Sequence, residues 1–220
     1  MMVVGDPEPG RATLGLDWAR RRASGSYEVD LWGGDPDWVD ALSAVSRFGL
    51  RVSVTGDFLP TGPAVIVANR RFGFGEVLAL ILGVRRMSGR VLRPIGAPDI
   101  APIGPLARRF GAIQAHPVEV GSLLRAGELL AMALTRQWRS TRVGTISPEM
   151  LEPVQRLRVP VIPAAVYGGE ITGSWKVLFG PAILGRGRAT PLAVAELADR
   201  ARAGVQALLD DAIPPKWWSR

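Results

Sequence analysis

The run Gly62-Pro63-Ala64-Val65-Ile66-Val67-Ala68-Asn69-Arg70 constrains this chain more than any other stretch. Its short apolar core, bounded by Gly-Pro on one side and Asn-Arg-Arg on the other, reads as a buried strand that delivers its end to a loop. A glycine-containing loop follows, and then a helix from about Glu76 to Val84. Arg85 and Arg86 close that helix, where cations complement the negative end of the helix dipole. Strand, loop and helix N-terminus, in that order, are how α/β proteins present polar groups at the carboxyl edge of a sheet, where ligands bind. A functional site is therefore expected around Asn69.

The alternation of strand and helix signals continues along the chain. Asp35-Pro36-Asp37 predicts a helix start with Asp35 as N-cap, and Trp38, Leu42, Val45 and Phe48 give that helix an apolar face. A strand is expected over Leu50–Thr55. Beyond the opening stretch, Arg90–Gly96 is strand-like, and Pro98–Phe110 predicts a short helix with Ile100, Ile103, Leu106 and Phe110 on one side. A strand from Gly111 to His116, a helix over Pro117–Ala126 and a strand over Glu128–Leu134 come next. The remaining elements are a helix over Pro148–Leu157, a strand over Arg158–Gly168, a strand from Trp175 broken at Phe179-Gly180-Pro181, and an amphipathic helix over Pro191–Leu209.

A length of 220 residues with 47% hydrophobic content suffices for one such domain with a substantial core. Residues 1–34, rich in Gly, Arg, Pro and Asp, read as a flexible or loosely packed leader, in which Trp18 and Trp32 either pack back on the domain or dip into a headgroup region. Residues 35–213 form the domain itself. Residues 214–220 are a basic aromatic tail, and Lys216, Trp217 and Trp218 suit anchoring at a membrane interface or folding back to bury an indole.

The net charge of +7 is carried almost wholly by arginine, since Lys176 and Lys216 are the sole lysines. Guanidinium forks suit phosphate and anionic lipid, although a G+C-rich genome enriches arginine without any such role. Zero cysteines exclude disulfides, thiolate metal sites and a cysteine nucleophile, and a lone His116 excludes a histidine-rich metal site. Residues 1–30 hold Asp6, Glu8, Asp17 and three consecutive arginines without a long apolar core, so no signal peptide is read there. The apolar runs Val77–Val84 and Val159–Val166 fall far short of the roughly 18–20 residues that cross a bilayer. A cytoplasmic chain peripheral to the inner face of the cell membrane is the expectation.

The opening strand with Asn69, the Gly111-Ala112-Ile113 segment, the run Arg158-Val159-Pro160-Val161-Ile162-Pro163 and the Phe179-Gly180-Pro181 break resemble, in order and spacing, the motifs of PlsC-like glycerolipid (lysophosphatidic acid) acyltransferases. The resemblance covers roughly residues 35–210. It implies a single-domain α/β sandwich with a mixed central sheet flanked by helices. It also implies a cleft between acyl-chain space and a basic headgroup surface. In that family Asn is followed by His-x-x-x-x-Asp, the His acting as base on the acceptor hydroxyl and the Asp orienting it. Here Arg70 stands in place of the His, Gly75 in place of the Asp, and Glu76 lies one residue late. The family's Phe-Pro-Glu-Gly-Thr-Arg segment is replaced by Leu134-Thr135-Arg136-Gln137-Trp138-Arg139, which keeps Arg139 and exchanges the acid for Arg136.

Arginine cannot take the proton that acyl transfer to a hydroxyl releases, because its pKa stays above about 12. The first reading is therefore a catalytically degenerate member that binds an acyl-lipid or anionic headgroup through Asn69, Arg70, Arg71, Arg136 and Arg139. The alternative is an active lipid acyltransferase with a rearranged centre, His116 as base partnered by Glu76 or Glu149, drawing on acyl-CoA or acyl carrier protein as donor. Neither reading needs a metal or a resident cofactor. Nucleic-acid or scaffold binding through the arginines ranks last, since those residues are scattered rather than interleaved with aromatics on one helix. A protein partner is left open.

Overall fold

A computed structural model describes residues 19–21, 23–25, 29–35, 37, 38, 40, 41, 51–56, 61–70, 75–97, 100–135, 142–169 and 173–212. Its labelled elements are β1 (Arg51–Thr55), β2 (Ala64–Ala68), α1 (Gly75–Ser88), β3 (Leu92–Pro94), α2 (Ile103–Arg109), α3 (Pro117–Arg125), β4 (Leu129–Ala133), α4 (Pro148–Arg156), β5 (Val161–Gly169), β6 (Ser174–Phe179) and α5 (Pro191–Ala212). The strands form one six-stranded sheet in the order β1-β6-β5-β2-β4-β3. Neighbours run parallel except β5 and β6, so the sheet is mixed.

All five residues of β2 are buried, as a strand with neighbours on both sides and helices on both faces must be. The period of two sorts its side chains. Val65 and Val67 join Leu130, Met132 and Val161 beneath α3, α4 and α5, which contribute Leu123, Leu151, Leu197 and Val205 among others. Ala64, Ile66 and Ala68 point the other way, with Ile162, Val166, Trp175 and Val177, toward Ala79, Leu80, Ile81 and Val84 of α1. Each fully buried aliphatic of this kind contributes about 1.5–3 kcal/mol.

A proline and a glycine show how close the layers lie. Pro163 sits inside a central strand, where a missing N–H is normally excluded. Its carbonyl accepts from Gly180 N at 2.9 Å. In extended backbone N and O of one residue share a side, so the absent donor also faces β6, where the ladder has just ended at the Ala164–Phe179 pair. On the helix side, a Cβ at Gly204 of α5 would stand 3.0 Å from Pro163 Cβ. The glycine costs about 1 kcal/mol of helix propensity and lets the helix approach the proline.

Several expectations need correction. The strand expected over Gly111–His116 is reduced to one bridge, Ile113 to Ile95, because Gly111 turns the chain at φ 82° and His116 already caps α3. The helix expected from Pro98 begins at Ile103, and Ile100, Ile103 and Leu106 are exposed rather than packed inward. Its contact with the body is made instead through buried Gly104.

Asp35 is an N-cap as expected, its Oδ1 accepting from Asp37 N at 3.1 Å. Trp38 meets Phe110 edge-on at 5.5 Å. Leu42, Val45 and Phe48 lie outside the described residues, as do Trp18 and the tail with Lys216, Trp217 and Trp218. Within the leader, Trp32 packs against the core beneath α3–α5. Asp30 bonds Arg93 of β3 at 2.6 Å, and Arg93 Nη2 also donates to Glu128 at 3.2 Å. That part of the leader is therefore tied to the sheet.

Candidate functional site

β2, β4, β5 and the Ile95–Ile113 bridge deliver their carboxyl ends to one edge of the sheet, and α1, α3 and α4 all begin there. The positive ends of three helix dipoles thus face the same margin. Ala68 is the last ladder residue of β2, and its carbonyl accepts from Leu134 N at 2.9 Å. The next residue, Asn69, is buried, and its carboxamide imitates one more step of the ladder. Its Nδ2 donates to Val166 O at 2.8 Å and its Oδ1 accepts from Val166 N at 2.7 Å. A short polar side chain with one donor and one acceptor group is what this double bond demands, which explains asparagine here. The amide is consequently engaged with the strand tip, in contrast to a role aimed at a ligand.

Arg70 follows, exposed at the edge. Arg71 lies outside the described residues, as do Arg136 and Arg139. After β4, Thr135 and Thr145 bond one another through Thr135 N to Thr145 O at 2.8 Å and Thr145 N to Thr135 Oγ1 at 2.9 Å. Arg142 beside them is exposed.

Gly75 opens α1. A Cβ at this position would stand 2.7 Å from Cζ2 of Trp175 and 3.3 Å from its Cη2. The indole is buried on β6, held by the β5–β6 ladder through the Gly168–Trp175 pair. The place where the PlsC-like motif carries an orienting carboxylate is therefore filled by an aromatic ring. Trp175 was visible in the sequence only as the start of a strand, because nothing local links it to residue 75. Glu76 is buried in the first turn of α1, where the helix dipole favours a carboxylate.

His116 is exposed and serves as the N-cap of α3, its Nδ1 accepting from Val118 N at 3.3 Å. Ile113, which leads to it, lies beyond β3 and so three strand spacings from β2, about 14 Å across the sheet. α3 covers one face of the sheet and α1 the other, so His116 and Glu76 start helices on opposite faces. Glu149, exposed in the first turn of α4, shares the face of His116. α3 and α4 lie side by side there, with the position of a Cβ on Gly121 3.5 Å from Pro153 Cβ. Among the described residues no cluster of three metal-ligating side chains occurs, and no helix is long and apolar enough to cross a membrane.

No family model matches the chain. Over 174 residues it is 28% identical to uncharacterized proteins of Mycobacterium tuberculosis and Mycobacterium bovis, an alignment covering 69% of this chain and 48% of each relative. The chain thus spans about half the length of the curated relatives it matches. Among solved structures it is similar to the 1-acyl-sn-glycerophosphate acyltransferase PlsC from Thermotoga maritima, with a TM-score of 0.55, 13% identity, and coverage of 90% of this chain and 87% of that one. In architecture, then, the chain is a mixed α/β domain with the PlsC acyltransferase fold.

Proposed function

We propose that this chain is an acyltransferase-fold protein that binds an acyl-lipid or an anionic lipid headgroup at the carboxyl edge of its sheet and does not catalyse through the His/Asp pair of its structural relatives. The observation that carries the reading is the Gly75–Trp175 contact. Arg70 in place of a histidine could in principle be one substitution in an otherwise intact centre. The indole packed where the carboxylate belongs removes the second member too, and the two changes lie five positions apart in the sequence. What remains supports anion binding: exposed Arg70 and Arg142, and three helix N-termini directed to the same margin. In this reading Arg71, Arg136 and Arg139 add to the basic surface, and the protein works peripherally on the inner face of the cell membrane.

The test pairs two measurements. Lysophosphatidate binding is expected to weaken about tenfold in Arg70→Ala, the usual worth of a charge-assisted hydrogen bond. Radiolabelled transfer from acyl-CoA or acyl carrier protein to a panel of lysophospholipids and glycolipids is expected to stay at background. Transfer that is present and disappears in His116→Ala would instead establish the second reading, favoured by the shared face of His116 and Glu149, in which the exposed imidazole takes the acceptor proton.

A further inference from the structure

Four of the nine large hydrophobic side chains exposed among the described residues lie in the stretch from Ile100 to Val118, at the margin beyond β3. Ile100, Ile103 and Leu106 are 67%, 47% and 49% exposed, and Val118 at the start of α3 is 69% exposed. Ile103 and Leu106 fall on one side of α2, Ile100 lies three residues ahead of them in the turn that enters the helix, and the next step of three brings exposed Arg109. Ala101, Pro102 and Pro105 are exposed as well, so the outward surface of 100–106 carries no charge. The backbone leading into 100–106 is tied to the backbone leading into Val118, Gly96 N and Ala97 N both donating to Ile113 O at 2.9 Å.

Charge separates this margin from an ordinary unpacked helix. From Ile100 to Val118 the chain contains no acidic residue while carrying Arg108, Arg109 and His116; Asp99 and Glu119 bound the stretch. A protein partner with a mixed surface would not select for such one-sided chemistry. An anionic bilayer does, since its surface attracts cations while its acyl boundary accepts aliphatic side chains. The geometry points to α2 and Val118 as a membrane-docking wedge, in which Ile100, Ile103 and Leu106 enter the headgroup–acyl boundary and Arg109 meets lipid phosphate. The surface is distinct from the Arg70 margin, and it acts whether or not that site transfers acyl groups.

Flotation with phosphatidylcholine vesicles, plain or doped with phosphatidylglycerol, tests it on the full chain. The wild type is expected to float with the doped vesicles and less so as salt rises. Ile100→Ser/Ile103→Ser/Leu106→Ser is expected to lose at least about tenfold in vesicle affinity with an unchanged circular dichroism spectrum, while Leu192→Ser, at an exposed aliphatic position on α5, floats as the wild type does. Since the chain has no cysteine, a second readout is open: an environment-sensitive dye on Ile103→Cys should shift to the blue on doped vesicles, and the same dye on Glu196→Cys should not. Unchanged flotation of the triple variant, an unshifted dye at 103, or a dimer that the triple variant abolishes in a chain that ignores vesicles, would each overturn the assignment.

Discussion

At the tip of β2, Asn69 is spent on the Val166 peptide and Gly75 lies against an indole, whereas along α2 three aliphatic side chains stand in water. The two regions are separated by only the width of β4 and β3. In the first, every position is dictated by what surrounds it, so residue identity reports on the fold. In the second, nothing in the fold demands an aliphatic residue, so residue identity reports on something outside it. Function is accordingly written most plainly where packing is weakest, whereas at Gly75 the approach of the Trp175 ring accounts for the residue.

Substitutions can break this contrast. The largest effect is expected at Asn69. Asn69→Leu leaves the Val166 N–H and carbonyl buried without partners, at a cost of about 3 kcal/mol, which corresponds to a fall of about 9 °C in melting temperature for a domain of this size. A melt within about 1 °C of wild type would mean that the strand tips do not need the clamp.

Gly75→Ala comes next. An alanine near a helix start is ordinarily harmless or stabilising, yet here its Cβ meets the Trp175 ring, and a loss of about 2 kcal/mol is expected. In a Trp175→Leu background the same change should cost close to nothing. A denaturant-unfolding double-mutant cycle reads the coupling directly, and additive effects would show that the indole yields.

The Asp30–Arg93–Glu128 group gives a smaller, pH-dependent effect. Burial works against the Asp30 carboxylate, but bonds from Arg93 and from the Gly34 and Trp32 amides outweigh it and hold its pKa below the usual carboxylate value. For Arg93, burial likewise works against the charge, and the bonds to Glu128 and Asp30 raise its pKa. A carboxyl depressed on folding adds stability that is present above its unfolded pKa and lost as pH falls through the folded one. Asp30→Asn should therefore lower stability at neutral pH and flatten the decline below about pH 4. Parallel acid limbs for the two proteins would disconnect Asp30 from the network. At the foot of the scale, Ile103→Ser should change stability by no more than about 0.5 kcal/mol, as exposed positions do. A larger loss would move Ile103 into the packed region of the comparison.

The strands were legible because their signals are local: an apolar run between Gly-Pro and Asn-Arg for β2, and two prolines around an apolar run for β5. Helix starts were legible for the same reason, through Asp35 and the Ser147-Pro148 and His116-Pro117 steps, although His116 read as a strand end when it is a cap. The Trp175–Gly75 contact was illegible, since it joins residues a hundred positions apart with no charge or pattern to relate them. The Asp30–Arg93 bond, 63 positions apart, escaped notice likewise. Ile100, Ile103 and Leu106 misled for the opposite reason. Their spacing is that of a packed face, and periodicity alone does not distinguish a stripe that meets the core from one that meets another surface.

The position of β6 also governs the order of events during synthesis. β1 has no ladder partner among the described strands except β6, whose Trp175 lies 122 residues downstream of Ser53. At ribosomal speeds of about 5–20 residues per second, β1 waits roughly 6–24 s with Val52 and Val54 lacking their strand neighbour. The slot against Gly75 stays vacant over the 100 residues that precede Trp175, roughly 5–20 s. The nascent chain is thus most open to proteolysis and to chaperone capture between the emergence of β1 and that of β6, a window that pulse proteolysis of ribosome-stalled chains, halted before and after residue 179, would reveal as a step in protection.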